Sequence, residues 1–348
     1  MNIVYLLGNG FDINIGMNTR YSDFYEYYNK IPTNNEKIAG LKSSIKDYIC
    51  KKKNNEELTD KEINWSDLEI AFGQYCEKFT KTEEFEEVYN DLVDNLGEYL
   101  ENEENSYDFS LQDKTKLPRD LLTPHHFLTE TDGETIENYL RNRKEHWYVH
   151  ILTFNYTHSV ERLMGYTSGQ MSLFTNINNY QSYLQDIQHI HGYTDNRMIL
   201  GVNDESQVNN EELLKNPYFR QDIIKSECNK AQKTLHVRKC EKMIDSAQII
   251  CLYGVSLGDT DNIWWQKIAE AMAKNNSKLL IFYYSNKLTS TRRSHKRQQI
   301  EDEVIESFLS KSTLSEEQKQ AIRSNIFVSI NSNIFNFKLK KLAQEKAG

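Results

Sequence analysis

Six short apolar runs recur along the chain, and they constrain its fold more than any other feature of the sequence. Each run is five or six residues long, and most are followed by polar or glycine-containing turns. Continuous apolar runs separated by helical patterns are typical of strands in a parallel sheet buried on both faces. We therefore predict an α/β fold, whose ligands bind beyond the carboxyl ends of the strands. The runs span residues 3–7, 149–154, 198–202, 249–253, 279–284 and 326–330.

A long interval with a helical pattern separates the first run from the second. Its clearest segment spaces apolar residues three or four apart, with acidic residues between them, which predicts an amphipathic helix packed by one face. We expect a core built from residues 1–30 and 148–348, interrupted by a mainly helical insertion of residues 31–147. The apolar positions of that segment are Phe85, Val88, Tyr89, Leu92, Leu96, Tyr99 and Leu100.

The charge balance of the chain disfavours a general polyanion-binding protein. The 348 residues include 42 Lys and Arg against 51 Asp and Glu, a net charge of −9. The 15 Phe and 21 Tyr supply enough apolar surface for a folded core. No apolar stretch reaches the roughly 18 residues of a spanning helix, and the N-terminus lacks the pattern of a signal peptide. We therefore expect a cytoplasmic protein with no membrane contact.

The first apolar run leads directly into a turn with two glycines, Gly8 and Gly10, around Asn9. Such a turn lets the backbone approach a pyrophosphate at the start of a helix, although the spacing departs from the GxGxxG fingerprint. A tight strand-to-helix turn without a ligand explains the glycines equally well. Asp12 follows as either a sugar-hydroxyl partner or an ordinary first-turn residue. Arg20 is a candidate phosphate clamp.

The second run ends at Asn155, whose amide can donate and accept hydrogen bonds at once. This property suits an amide that holds a ribose hydroxyl or orients a water molecule. Asn is also a good N-cap, a role for which Thr157 competes.

Two histidines, His189 and His191, precede a glycine and form the third candidate loop. Neutral imidazole accepts a proton near physiological pH, and we assign His191 as a general base. His189 is expected to support it or to be packed in the core. Metal binding by this pair is disfavoured because no third ligand is evident nearby.

The fourth loop follows the run at residues 249–253 and contains Gly254, Ser256, Asp259 and Asp261. Gly254 and Ser256 could receive an adenosine ribose, with one of the aspartates accepting from its hydroxyls. Capping of the next helix by Asp259 is a compatible alternative.

Residues 64–70 predict a helix start in which Ser66 is the N-cap and Glu69 completes a capping box. Glu69 also lies near an apolar stripe, so its carboxylate could instead face a pocket. Both roles remain open at this point.

Four polar loops that follow the strands of one parallel sheet converge on the same edge, which predicts a nucleotide site. Together with the helical segments, they resemble the motifs of the phage abortive-infection AbiH family. The resemblance spans nearly the whole chain. It rests on residues 8–12, 19–24, 65–69, 154–157, 189–192 and 254–261.

The AbiH family is in turn similar to sirtuin-like NAD-binding domains, in which four such turns surround NAD in the same order. This resemblance implies a Rossmann-like, sirtuin-like core with NAD as the substrate. Three features depart from the sirtuin pattern: Asn9 replaces an alanine, no Asp follows Asn155 by two, and the five cysteines form no zinc ribbon. The resemblance therefore implies NAD hydrolysis in place of peptide deacylation, with no metal expected.

The resulting hypothesis is an antiphage effector that hydrolyses NAD at the nicotinamide–ribose bond. His191 and Asn155 are its catalytic residues. Its trigger is expected to be a phage product or a change in assembly, and a homo-oligomer is expected. The acidic helical insertion could serve as an oligomer or sensor surface. The nucleotide-binding residues are Gly8, Asn9, Gly10, Asp12, Arg20, Gly254, Ser256 and Asp259.

Two alternatives stay open. One is a metal-dependent nuclease, in which the basic clusters at residues 51–53 and 291–297 guide RNA or DNA. Its metal would be held by carboxylates among Asp12, Glu69, Asp259 and Asp261. The other is a nucleotide sensor without turnover.

Overall fold

Alternating strands and helices make up the chain in a computed structural model, which describes residues 1–56, 64–111, 113–233, 235–287 and 294–342. The strands are Asn2–Leu7 (β1), Tyr107–Asp108 (β2), Trp147–Thr153 (β3), Met171–Thr175 (β4), Gln181–His189 (β5), Ile249–Tyr253 (β6), Lys278–Tyr283 (β7), Ile326–Ile330 (β8) and Lys340–Lys341 (β9). The helices are Gly10–Ile15 (α1), Tyr21–Lys30 (α2), Glu36–Glu56 (α3), Trp65–Tyr75 (α4), Thr82–Asn105 (α5), Lys116–Leu122 (α6), Glu130–Arg141 (α7), Ser159–Met164 (α8), Pro217–Ile223 (α9), Lys225–Ala231 (α10), His236–Asp245 (α11), Asn262–Asn275 (α12), Ser294–Ser310 (α13) and Glu316–Arg323 (α14).

Seven strands form the main sheet in the order β4-β5-β3-β1-β6-β7-β8. Every neighbouring pair from β5 to β8 is parallel, whereas β4 runs antiparallel to β5 at one edge. A separate two-stranded sheet pairs β2 with β9. The α/β prediction is therefore confirmed.

Apolar side chains of the central strands alternate between two hydrophobic layers. In β1, Ile3, Tyr5 and Leu7 pack in the layer that contains α6, α7 and α8, while Val4 and Leu6 pack in the layer that contains α11, α12 and α13. Burial on both faces explains why the strand sequences are continuously apolar.

Five of the six predicted strands are confirmed, and the one at residues 198–202 is wrong. Its apolar side chains are buried, but its backbone bonds to elements other than a strand. The carbonyl groups of Ile199 and Leu200 accept from the hydroxyls of Tyr156 and Tyr89, and Val202 makes an isolated bridge to Ile224. Strands β4 and β5 were not predicted because their sequences mix polar with apolar residues.

The interval between β1 and β3 is mainly helical, as predicted, and α5 buries the expected apolar stripe. Helices α2 to α5 form a third hydrophobic cluster together with residues of α9 and with Tyr156. The proposed division at residues 31 and 147 stays a prediction. Among the described residues, no helix is both long enough and apolar enough to span a membrane.

Candidate functional site

The four predicted loops follow β1, β3, β5 and β6, which are adjacent parallel strands. Their carboxyl ends therefore lie side by side at one edge of the sheet. This edge is where α/β folds bind ligands.

The glycines of the first and fourth loops bring the ends of β1 and β6 into backbone contact. Gly8 N donates to Tyr253 O, and Gly10 N donates to Gly254 O, both at 2.9 Å. A Cβ atom at Gly8 would lie 2.5 Å from Gly254 O, and one at Gly10 would lie 2.5 Å from Gly254 Cα. Larger residues would therefore separate the two loops. Contact of these glycines with phosphate stays a prediction.

Asn9 is hydrogen-bonded to Thr19, the residue before Arg20, in the loop between α1 and α2. The Asn9 amide donates to Thr19 O and accepts from Thr19 Oγ1, both at 2.6 Å. The backbone N–H of Arg20, at the start of α2, donates to Asp23 Oδ2 at 3.0 Å, and its side chain is half-buried. Burial lowers the pKa of Lys338, and the positive charge of Arg20 lowers it further. Two cationic side chains therefore lie near this loop.

Asp12 is buried in the first turn of α1 without a cationic partner in the described part of the chain. Its two carboxylate oxygens accept from Thr157 Oγ1 at 2.6 Å and Ser159 Oγ at 2.5 Å. Burial raises the pKa of Asp12 to about 6, although the hydroxyls of Ser159 and Thr157 and the nearby Asn155 amide oppose this shift. Asp12 therefore changes charge in the physiological range while both of its oxygens bind protein hydroxyls.

Asn155 lies just beyond β3 and is 6 % exposed. Its carbonyl group accepts from His189 Nδ1 at 2.8 Å. Both atoms of its side-chain amide are buried without a hydrogen-bond partner among the described residues. The alternative in which Asn155 or Thr157 is an N-cap is wrong, because α8 begins at Ser159 with His158 as N-cap.

His191 is 4 % exposed and lies against the rings of Phe154 and Tyr156. Its Nε2 lies 2.8 Å from Asp261 Oδ1. An ionised carboxylate only accepts, so Nε2 carries a proton, and in the neutral form of the ring Nδ1 holds the lone pair. Nδ1 is buried and has no partner within the described segments.

Lys225 links the His191–Asp261 pair to Glu69. Its Nζ lies 3.0 Å from Asp261 Oδ1 and 2.9 Å from the Glu69 carboxylate. Glu69 is therefore not a cap: α4 begins after Asn64, whose N–H donates to Asp67 Oδ2 at 2.9 Å. The predicted capping by Ser66 and Glu69 is wrong because the helix starts two residues earlier, at an equally good capping residue.

The pKa values of this network reflect its charges. Burial by itself would raise the pKa of Asp261, but Lys225 and His191 hold it well below its ordinary value. Burial raises the pKa of Glu69 in spite of Lys225. The pKa of Lys225 is raised because the two carboxylates outweigh its burial.

Ser256 and Asp259 lie at the surface of the fourth loop. Both are exposed, and Asp259 forms an ion pair with Lys311. The alternative in which Asp259 caps a helix is wrong, because Gly258 is the N-cap of the short 3-10 turn at Asp259–Asp261. Their contact with an adenosine ribose stays a prediction.

Sequence reasoning missed Lys225 as part of this site. The only local signal is a lysine that directly follows the apolar pair Ile223 and Ile224 at the end of α9. The carboxylates considered for a nuclease metal are engaged otherwise: Asp12 by hydroxyls, Glu69 and Asp261 by Lys225, and Asp259 by Lys311. Of the basic cluster at residues 291–297, residues 291–293 lie outside the described residues.

Comparison with known families identifies one match over most of the chain. The family model described as Bacteriophage abortive infection AbiH matches residues 4–283. A search of curated proteins finds no match.

Proposed function

The chain belongs to the bacteriophage abortive infection AbiH family, and from this premise we propose that it acts by hydrolysing NAD at the nicotinamide–ribose bond. Loss of NAD would stop the growth of an infected cell before phage progeny form. The proposal extends the family's role in abortive infection to a specific reaction.

The strand order supports a Rossmann-like, sirtuin-like core. When the six parallel strands are numbered along the chain, the sheet order β5-β3-β1-β6-β7-β8 becomes 3-2-1-4-5-6, the order of dinucleotide-binding sheets. The order reverses between β1 and β6, where such folds bind nucleotides. Gly10 and Gly254 meet at that point.

The observation that carries the proposal is a pair of unsatisfied polar groups at this edge. The amide of Asn155 and Nδ1 of His191 are both buried without partners among the described residues. Buried polar groups without partners cost free energy, and a native structure that retains them calls for an explanation. Binding of a polar substrate by both groups supplies one.

In the proposed reaction, the bond between C1′ of the ribose and the nicotinamide nitrogen breaks, and its electron pair leaves with neutral nicotinamide. Water adds to the ribosyl cation and yields ADP-ribose. His191 Nδ1 accepts the proton that this water loses, while Asp261 fixes the ring through Nε2. The Asn155 amide orients the water and a ribose hydroxyl.

The remaining predicted residues would hold the rest of NAD. Gly8, Asn9 and Gly10 would lie along the pyrophosphate, and Arg20 would neutralise it. We assign the adenosine side to the fourth loop at residues 254–259. Asp12 would serve the ribose only if it released a hydroxyl of Thr157 or Ser159.

The described conformation corresponds to a resting state in this proposal. His191 and Asn155 are almost fully shielded, so NAD reaches them only after a rearrangement. An unregulated NAD hydrolase would kill its host, which makes a closed resting site advantageous. A phage product or a change in homo-oligomeric assembly in the cytoplasm would open it.

The test measures nicotinamide release from NAD by the purified chain, with and without lysate of phage-infected cells. We expect triggered release, lowered by about 10²–10⁴-fold in His191→Gln and in Asn155→Ala. His126→Gln serves as the matched control because His126 is exposed and distant in sequence from all four loops. Circular dichroism would verify that each variant is folded.

Two outcomes would contradict the proposal. Binding of NAD without nicotinamide release under every trigger would identify a sensor. Metal-dependent cutting of labelled RNA or DNA that persists in His191→Gln would identify a nuclease.

A further inference from the structure

A second polar cluster lies beside the candidate site and takes no part in the proposed reaction. It consists of His158 and Glu161 from the start of α8 and His189 from the end of β5. One ligand atom from each residue lies within 4.8 Å of the other two. From this geometry we propose that His158, Glu161 and His189 bind a divalent transition-metal ion of the zinc type.

The hydrogen bonds of His189 orient its ring as a metal ligand. Nδ1 lies 2.8 Å from the carbonyl oxygen of Asn155, which only accepts, so Nδ1 carries a proton. Nε2 then directs its lone pair at Glu161 Oε1, 2.7 Å away. The contact between Nε2 and Oε1 therefore needs one of two things. Either the fully buried ring takes up a second proton, or a metal ion binds both atoms. Backbone support of the far nitrogen is a regular feature of histidine ligands.

Glu161 has the charge and the unused capacity that a metal ligand needs. As an ionised carboxylate it supplies a negative charge, and its Oε1 lies 2.7 Å from His189 Nε2. Its second carboxylate oxygen, Oε2, is buried without a hydrogen-bond partner among the described residues. A cation beside the carboxylate would offset that deficit.

His158 brings a third ligand from the same helical turn as Glu161. The two residues are three positions apart, so their side chains share one face at the start of α8. The His158 side chain is 37 % exposed, which leaves a route for an ion and an open coordination position. Tyr193 stacks on the His158 ring and contacts the His189 ring, which fixes both imidazoles.

The donor set selects the class of ion. Two imidazole nitrogens and one carboxylate oxygen suit Zn²⁺ and neighbouring transition metals, whereas Mg²⁺ and Ca²⁺ prefer oxygen ligands alone. Asp195 lies 3.6 Å from His158 Nε2 and would support that ligand from outside. The bound ion would tie α8 to β5, and thereby hold the Asn155 carbonyl and the loop of His191 together.

The cluster differs from the histidine pair considered from the sequence. His191 is bonded to Asp261 and is not a member. The missing ligands come from the start of α8, 28 and 31 residues before His189. The inference does not depend on NAD hydrolysis, because it concerns metal content alone.

The purified full chain is first dialysed against a chelator. It is then titrated with Zn²⁺ in competition with a colorimetric zinc indicator. We expect one Zn²⁺ per chain, at least tenfold weaker binding in His158→Ala and Glu161→Gln, and no comparable response to Mg²⁺. His126→Ala and Glu134→Gln are matched controls, since both native side chains are exposed. Co²⁺ added to the native chain should produce visible absorption that His158→Ala lacks.

Three results would overturn the inference. They are no zinc bound by the native chain, zinc binding unchanged in both cluster variants, or Mg²⁺ binding as tightly as Zn²⁺. The first of these would leave a protonated His189 paired with Glu161. Because His158→Ala removes only a partly exposed side chain, this variant should remain folded. It should lose zinc and still give the circular dichroism spectrum of the native chain.

Discussion

Asp12 and Asp261 occupy similar places at the same sheet edge, yet they have opposite electrostatic states. Each lies shortly after a strand end, near the start of a helix. Asp12 accepts from two hydroxyls, and burial raises its pKa to about 6. Asp261 contacts Lys225 and His191, which hold its pKa well below the ordinary value. The charge of a carboxylate at this edge is therefore decided by the cations that reach it and less by its depth.

The largest expected effect comes from removing the positive charge of Lys225 beside Asp261. Lys225→Met would leave Glu69 buried without a cation and Asp261 with His191 as its remaining partner, and we expect it to lower the free energy of unfolding by about 3–5 kcal/mol. Urea denaturation at pH 7 measures the difference. Lys239→Met, at an exposed position of α11, is the control. Equal stability of the two variants would show that Lys225 does not set the state of Asp261.

The next effect concerns the pH dependence that Asp12 confers. Because its folded pKa of about 6 exceeds the ordinary value of 3.8, the folded chain holds a proton that the unfolded chain releases. The stability due to Asp12 is present below pH 3.8 and is lost as the pH rises to about 6, a total of about 3 kcal/mol.

Asp12→Asn should remove this contribution. The free energy of unfolding, measured by urea denaturation from pH 4 to 8, would fall less with pH in the variant than in the native chain. Parallel pH profiles for the two proteins would contradict the assignment.

A smaller effect is expected from one hydroxyl that binds Asp12. Ser159→Ala removes the 2.5 Å hydrogen bond to Oδ1, at a cost of about 2 kcal/mol where Asp12 is ionised. The loss should be greater at pH 8 than at pH 4, because a protonated carboxyl group depends less on a donor. Ser310→Ala on the exposed surface of α13 is the control. A loss independent of pH would indicate packing alone.

The smallest effect is expected for a carboxylate at the surface. Glu26 pairs with Lys30 on α2, and both side chains are mostly exposed. Glu26→Gln should leave the urea midpoint unchanged from pH 4 to 8, because water and salt screen the pair. A change as large as that of Ser159→Ala would mean that burial is not what separates Asp12 and Asp261 from surface carboxylates.

Local patterns were sufficient to predict most of the sheet and the position of the candidate site. The run at residues 249–253 is apolar because β6 is covered on both faces, and its continuity is visible in the sequence. The run at residues 198–202 is also apolar, but its carbonyl groups accept hydrogen bonds from two tyrosine hydroxyls. These belong to Tyr156, in the loop after β3, and to Tyr89, in α5. Apolar composition reports burial, and it does not report which group satisfies the backbone.

The sequence by itself determined the α/β class, the helical interval before β3 and the four polar turns at strand ends. These follow from periodicity and from glycine placement, which act over a few residues. Only the tertiary structure decided that Lys225 binds Glu69 and Asp261, and that His189 meets Glu161. Those partners lie 28 to 156 positions apart in the chain. Their contacts depend on how the layers pack, which no local pattern encodes.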